Sequence, residues 1–218
     1  RLTWQANAKN KITAYQDRAF KARNHDFTDF VPPEVAPQGI DPARAASRRE
    51  PKVYYAAYSK WTSTITNKLL LETGISMNLN NYSIIYQQGV AAPVGSPNFL
   101  DYAPRVDIIS NTLTVASTFI PQTIKQAGYT LQSALTYASG SHNFKTGAQW
   151  RTGPFGQKVD LTNGGMVERF RSGVADSVDV YDTPVFAEAR LDADLGVFAQ
   201  DSWTFKRLTL NPGVRFDY

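Results

Sequence analysis

Few side chains in this sequence are of types that carry out chemistry, and their spacing does not assemble a site. There are two histidines, His25 and His142, far apart along the chain, and there is no cysteine. Transition-metal sites draw mainly on these two residue types, so no metal site is expected, and the histidines are interpreted as ordinary loop and turn residues. Asp192-Ala-Asp194 has the alternation that begins a calcium-binding loop, but the other ligands of that motif are missing. We interpret this pair as a solvated segment where a strand begins.

Motifs for catalysis and cofactor binding are also missing from the sequence. It contains no nucleophile elbow, Walker loop or dinucleotide-binding fingerprint, and Gly164-Gly165 is an ordinary loop pair. We therefore expect no enzyme activity and no cofactor. The net charge is only +4. Because the basic residues are dispersed among acidic ones, nucleic acid is not an expected partner.

The candidates that remain for ligand binding are aromatic residues in segments rich in Pro and Asn. They are Phe27, Phe30, Phe99 and Tyr102. Loops carry binding function more often than the elements they connect, so these rings could stack on a ligand. The alternative is that each ring packs against its own loop. The sequence leaves both interpretations open.

The elements that would position these loops are β-strands with one apolar face. Residues 69–79 and 208–218 alternate between apolar and polar side chains, which is the period of a half-buried strand. Residues 129–137 alternate in the same way and have a tyrosine at each end. About nine tilted residues cross the apolar band of an outer membrane, and aromatic girdles mark its two borders.

These patterns assign side chains to two environments. The residues expected to face lipid are Leu69, Leu71, Ile75, Tyr129, Leu131 and Leu135. The residues expected to line a polar interior are Glu72, Lys145, Gln149, Arg151, Arg215 and Asp217.

The lengths of the connections indicate the fold class. Short turns near Asn10, Asn67, Ser141 and Lys206 alternate with long segments at 24–50, 80–125 and 153–190. Outer-membrane barrels alternate in this way, with short periplasmic turns and long extracellular loops. We therefore predict an all-β fold: an antiparallel transmembrane β-barrel segment, an arc of a large up-and-down barrel, with long extracellular loops.

The long segments are expected to have little regular structure and to hold the ligand contacts. Exceptions are a ribbon at 166–171 and 177–181, strands at 83–87 and 106–119, and a short helix at 43–49. The basic cluster of Arg44, Arg48 and Arg49 is expected to contact lipopolysaccharide or solvent, because clustered positive charge attracts anionic surfaces.

Several segments resemble one receptor family. Gly-Val-Phe-Ala-Gln-Asp-Ser-Trp at 196–203 and Arg-Leu-Thr-Leu-Asn-Pro-Gly-Val-Arg-Phe-Asp at 207–217 resemble the barrel hairpin of TonB-dependent outer-membrane receptors of Gram-negative bacteria. The resemblance is greatest to large receptors with an N-terminal carboxypeptidase-regulatory-like domain. Residues 60–64 and 140–147 resemble other barrel segments of this group.

The resemblance implies a plugged barrel that captures a small ligand with its extracellular loops. It implies uptake powered by the inner-membrane TonB complex, with an oligosaccharide, a peptide or a chelate as the ligand. The expected partners are outer-membrane lipid and lipopolysaccharide, the receptor's own plug and the TonB complex, and the expected location is the outer membrane.

The chain begins at Arg1 without a signal peptide, and both of its ends lie in strand-like sequence. Residues 1–218 are therefore expected to be a partial receptor barrel domain, without the plug and N-terminal domains. The alternative is a binding or adhesion module without transport, either a soluble β-sandwich or a closed barrel of about eight strands. Pairing of the strand at Leu2 with the strand at Leu208 would indicate the closed barrel.

Overall fold

The computed structural model describes residues 1–27, 34–90, 92, 95–118, 120–160 and 165–218, and these residues are almost entirely strand and turn. The strands in chain order are β1 (Leu2–Asn7), β2 (Asn10–Ala19), β3 (Arg23–Asp26), β4 (Ser47–Thr66), β5 (Leu69–Ile85), β6 (Arg105–Asp107), β7 (Thr112–Thr114), β8 (Gln122–Ser139), β9 (His142–Val159), β10 (Met166–Arg171), β11 (Val174–Val180), β12 (Val185–Phe205), β13 (Leu208–Leu210) and β14 (Gly213–Asp217). Short 3-10 turns occur at Pro37–Gly39 and Phe99–Tyr102. Across these ranges no helix is long and apolar enough to cross a membrane.

The main sheet is an antiparallel meander. Its strand order is β1-β2-β4-β5-β8-β9-β12, with β13 and β14 both paired to β12 at one edge and β3 added to β4. Two-residue turns join β1 to β2, β4 to β5, β8 to β9 and β12 to β13 at one end of the sheet. Gly140 and Lys206, which begin two of these turns, have φ of 61° and 54°. Tight hairpin turns need such a positive φ, because it matches the twist of the paired strands.

The strands are longer than the sequence pattern predicts. Residues 69–79 and 129–137 carry the alternation, whereas β5 and β8 contain 17 and 18 residues. Beyond the apolar segment the backbone continues to pair, but the side chains there no longer alternate in polarity. The alternation of apolar and polar residues therefore predicts the central part of each strand. It does not predict the part of the strand that continues beyond the apolar segment.

The predicted helix at 43–49 is wrong. β4 begins at Ser47, and Arg48 and Arg49 pair with Ile85 and Ile84 of β5. A helix of seven residues gains little from its own hydrogen bonds, so pairing with a long neighbouring strand prevails over helix propensity.

The sheet is open and contradicts the closed small barrel. Within the described residues β1 pairs only with β2, and β13 and β14 pair only with β12. A sandwich is contradicted as well, because the apolar face is not covered by a second sheet: Ile75, Leu131 and Trp150 are 58%, 45% and 41% exposed. The predicted arc of a larger barrel is confirmed.

The register places the predicted side chains on two faces. Leu71 lies opposite Leu135, and Ile75 lies opposite Leu131, which in turn lies opposite Trp150. Directly opposed residues of an antiparallel pair point to the same side of a sheet. The six residues predicted to face lipid therefore share one face, and the six predicted to line a polar interior share the other. The register also settles the facing of β2, whose Ile12 lies opposite Trp61 on the apolar face.

Described parts of the three long connections form one structured unit at the opposite end from the short turns. β6 and β7 come from the second connection, and β10 and β11 come from the third. Together they make a four-stranded sheet of order β11-β10-β6-β7, in which β10 and β6 are parallel. The first connection joins this sheet through a bridge between Ile40 and Leu113. We call residues 34–46, 105–114 and 165–181 the loop domain.

The loop domain has its own apolar core. The buried residues of this core are Val35, Ile40, Ala45, Val106, Leu113 and Val167. A second apolar cluster lies where β5 ends and the second connection begins and returns, and consists of Ile84, Tyr86, Val90, Ala116 and Ile120. The expectation of loops with little regular structure is therefore wrong for the described residues. The predicted ribbon at 166–171 and 177–181 is confirmed as β10 and β11. The strand predicted at 106–119 is wrong for the described residues 106–118, which contain the short β6–β7 hairpin and no long strand.

The carboxylate of Asp107 joins two hairpins of the loop domain. It accepts backbone N–H bonds from Ile109 and Ser110 of its own hairpin, both at 3.0 Å. It also accepts them from Ser172 at 3.3 Å and Gly173 at 2.5 Å, in the turn between β10 and β11. These bonds, chiefly those from Ser110 and Gly173, lower the pKa of Asp107 from its ordinary 3.8 to about 2.

The lowered pKa of Asp107 predicts a dependence of loop-domain stability on pH. The ionised carboxylate contributes fully above its ordinary pKa of 3.8, and the contribution is lost as the pH falls through about 2. We expect the loop domain to become more susceptible to pepsin across this interval than the rest of the chain does. Asp107→Asn keeps one acceptor oxygen but does not titrate, so its cleavage should respond less to pH. Identical pH profiles for the variant and the original protein would contradict this role for Asp107.

Candidate functional site

A cluster of charged residues crosses the middle of the polar face. The carboxylate of Glu72 on β5 forms an ion pair with Lys60 on β4, and its second oxygen lies 3.7 Å from Nζ of Lys145 on β9. Lys145 reaches Glu72 across β8, where the residue opposite Glu72 is the small Ala134. Two cations and one anion leave this cluster with a net positive charge.

A cleft of about 200 Å³ adjoins the charged cluster. Gln132 and Gln149 line it with amide groups, and Phe198 contributes a ring. Gly147 is required here, because a Cβ at that position would lie 2.8 Å from the Phe198 ring. The cleft therefore combines positive charge, neutral hydrogen-bonding groups and one aromatic surface, which are the groups that bind polar ligands or a polar protein surface.

Further ion pairs extend the polar face toward the last strands. Arg151 pairs with Asp194, and Arg215 pairs with Asp217 at 2.6 Å. Asp194 therefore has an arginine partner on a neighbouring strand. Asp192 lies at an irregularity in β12, where it is 3.3 Å from Arg190. Across the described ranges no three His, Cys, Asp or Glu residues are grouped so that they could hold a metal ion.

Ion pairs also hold the loop domain together from different parts of the chain. Arg169 on β10 pairs with Glu34 of the first connection and, at 2.6 Å, with Asp179 on β11. Arg105 on β6 pairs with Glu168 at 2.7 Å. Arg169 is mostly buried, so its contacts are less screened by solvent than those of an exposed pair.

The aromatic residues predicted to bind ligand lie in different parts of the long connections. Phe27 packs against the core of the loop domain and is half-buried. Phe99 and Tyr102 are half-buried at the two ends of a 3-10 turn. Phe30 lies outside the described residues. The position of Phe27 agrees with packing against its own loop, and a ligand-stacking role for these residues remains a prediction.

The basic cluster predicted near residue 44 is divided in the structure. Arg44 is exposed in a turn. Arg48 pairs with Glu50 at 3.0 Å, and Arg49 donates to the Tyr54 hydroxyl at 3.1 Å and lies 3.7 Å from the centre of the Tyr82 ring. Contact with lipopolysaccharide remains a prediction, and among the three it concerns chiefly Arg44.

The two histidines lie in strands and not in a loop or a turn. His25 belongs to β3, and His142 is the first residue of β9. The His142 ring is 2.5 Å from the Asp201 carboxylate and stacks on Trp203 at 5.6 Å between ring centres. The sequence misses these contacts because they join residues about sixty positions apart.

The sequence analysis also misses the ion pair between Lys60 and Glu72, although the sequence contains a pattern that indicates it. Lys60 and Glu72 lie on either side of the turn at 67–68 and both belong to the polar alternation. A two-residue turn brings such positions close together as diagonal neighbours in a hairpin. The third member of the cluster, Lys145, comes from β9. The sequence near Lys145 gives no indication that its side chain lies close to Glu72.

Comparison with known proteins agrees with this architecture. A family model described as an outer membrane beta-barrel domain matches residues 1–218. The crystal structure of the outer membrane transporter YddB from Escherichia coli is similar, with a TM-score of 0.62 and 13% sequence identity. The match covers 99% of this chain and 26% of that chain, so this chain spans about a quarter of the transporter's length. No curated protein matches the sequence.

At 13% identity the likeness to the transporter shows the fold alone, whereas the family match includes every residue of the chain. In such barrels the outward face is apolar and the interior is polar. The face of Leu131 therefore meets lipid, and the face of Glu72 is directed to the interior. The chain belongs to the outer membrane beta-barrel domain family and resides in the outer membrane.

Proposed function

We propose that this chain is part of the barrel of a TonB-dependent receptor, which takes up a small nutrient ligand across the outer membrane. The main observation behind the proposal is that parts of three long connections pack together as one loop domain at a single end of the sheet. A pre-formed domain at the mouth of a barrel gives a ligand a fixed surface, which lowers the entropic cost of binding.

Two further features support transport over adhesion alone. The polar face carries the Lys60–Glu72–Lys145 cluster and a cleft with hydrogen-bonding groups, which suit contact with a plug or with a passing polar ligand. The segments at 196–203 and 207–217 resemble the barrel hairpin of TonB-dependent receptors, and they form β12, β13 and β14. The proposed partners are the receptor's own plug, the TonB complex and an oligosaccharide, peptide or chelate. No enzymatic step is part of the proposal.

Growth assays test the proposal directly. The gene is deleted from its host, and growth is compared on oligosaccharides, peptides or metal chelates supplied as limiting nutrients. We expect that the deletion strain no longer grows on one nutrient class. Inactivation of TonB should have the same effect. Uptake that depends on this protein but continues without TonB would contradict energised transport. Unchanged uptake of every class would contradict a transport role.

Protease treatment of whole cells tests the orientation of the barrel. The loop domain and its connections should lie outside the cell, where trypsin can cut after the exposed Arg44. The turn at Lys206 and Arg207 is at the opposite end of the sheet and should be cut only after the outer membrane is permeabilised. Cleavage at Lys206 in intact cells, with Arg44 spared, would show the reverse orientation.

A further inference from the structure

Two grooves lie on the apolar face and meet at one tyrosine. The first groove has a volume of about 690 Å³ and includes Ala14, Ala57 and Ser59 among its lining residues. These small side chains lie between Leu2 on β1 and Ile75 on β5, because the register runs Leu2, Ala14, Ser59 and Ile75 across neighbouring strands. The groove is therefore a depression in the surface that meets lipid, floored by small residues and walled by large apolar ones.

The second groove begins on the other side of Tyr129 and has a volume of about 660 Å³. It lies toward the loop domain, and its lining includes Asn81, Lys125, Glu188 and Arg190. Tyr129 lines both grooves. Because tyrosines concentrate at the borders of the apolar band, the first groove lies within the membrane and the second lies in the headgroup region.

Among the charged residues of the second groove, Lys125 is the cation available to bind an anionic group. Arg190 is 3.3 Å from Asp192, and Glu188 adds another carboxylate to the wall. Lys125 is exposed on β8 and has no ion-pair partner among the described residues. Arg18 is a second exposed cation on this face, three strands away and thus about 14 Å across the sheet. Long basic side chains near a membrane border reach toward anionic headgroups.

We infer that these adjoining grooves bind one phosphorylated, acylated lipid of the outer leaflet. An acyl chain occupies the groove floored by Ala14, Ala57 and Ser59, and the phosphate is held by Lys125, with Arg18 at the side. Tyr129 lies at the junction of chain and headgroup. The inference uses the membership in an outer-membrane family and does not depend on TonB-dependent uptake.

Native mass spectrometry of the purified full-length protein in detergent tests this inference, with lipid A and phosphatidylethanolamine as the two probes. Ala57→Trp fills the floor of the apolar groove, and Lys125→Gln removes the cation. The matched controls are Ala148→Trp, at an exposed small residue of the same face, and Lys158→Gln, at an exposed lysine that already pairs with Asp160 at 2.8 Å. Neither control position lines the two grooves. All four changes lie on the outward face, so each variant should assemble as the original protein does.

We expect one lipid A to remain bound to the original protein and to both controls. Lys125→Gln should lower its occupancy about fivefold, the size of losing one charge contact near a membrane surface. Ala57→Trp should lower it as well, because the indole ring occupies the space of the acyl chain. Phosphatidylethanolamine should be retained less well and depend less on Lys125, because its own ammonium group neutralises its phosphate. Equal retention of lipid A by Ala57→Trp and Ala148→Trp would overturn the site. Equal loss of both lipids from Lys125→Gln would overturn the preference for an anionic headgroup over a zwitterionic one.

Discussion

Leu131→Arg is expected to lower the stability of the barrel in a bilayer by about 2 to 4 kcal/mol, the cost of an arginine on the lipid face near mid-membrane. Leu131 lies on the apolar face of β8, directly between Ile75 and Trp150. An arginine there must leave water or displace lipid headgroups inward. Folding titrations with urea in lipid vesicles measure the change in the free energy of unfolding.

The neighbouring position provides the control for this experiment. Gln132 points to the opposite face and lines the cleft beside Gln149. Gln132→Arg adds the same charge at nearly the same depth, but places it among polar groups. Its stability should therefore change much less than that of Leu131→Arg. Similar losses for the two variants would contradict the assignment of lipid and interior faces.

Leu113→Ala is expected to destabilise the loop domain by about 2 to 5 kcal/mol, because it leaves a cavity in a small core. Leu113 on β7 is fully buried at 0% exposure and forms the bridge to Ile40. Amide hydrogen exchange should increase around Val106 and Val167, which belong to the same core. Exchange in β8 and β9 should stay unchanged, because these strands are stabilised by the main sheet.

Ile109→Ala is the matched control, since Ile109 lies in the same hairpin but is 55% exposed. It should leave exchange in the loop domain nearly unaltered. If the proposed uptake is correct, Leu113→Ala should also reduce uptake while the amount of protein in the outer membrane stays the same. Full exchange protection in Leu113→Ala would contradict a single core shared by the three connections.

The main sheet could be predicted because its signal is local. Alternation over residues 69–79 reports which side of the strand meets lipid, and two-residue turns determine which strands pair. The register of Leu131 with Trp150 follows from these two facts. The register of Ile75 with Leu131 does not, because a long connection joins β5 to β8. The ends of the strands could not be predicted in the same way, because near Ser47 and Ile85 the pairing continues without a polarity pattern.

The loop domain could not be predicted because its contacts are distant in sequence. Strands β6 and β7 have three residues each, too few to show a period. Asp107 and Gly173 are 66 positions apart, and no local pattern around either residue indicates the other. The charged cluster of the candidate site could be predicted only in part. Glu72 and Lys145 could be assigned to the polar face from the sequence. Their proximity could not, because it depends on the strand order and on the small Ala134 between them.

The parallel pairing of β6 with β10 has a consequence for how the barrel is made. Hairpins such as β4–β5 and β8–β9 close through neighbouring residues and can form early. Arg105 and Glu168 come from separate connections, and the whole β8–β9 hairpin lies between them in the chain. Contacts of such long sequence separation form slowly, because a large loop must close first. In the orientation proposed above, the loop domain should thus be completed only after both connections have crossed the membrane. Its closure is then a late step of biogenesis, separate from insertion of the strands.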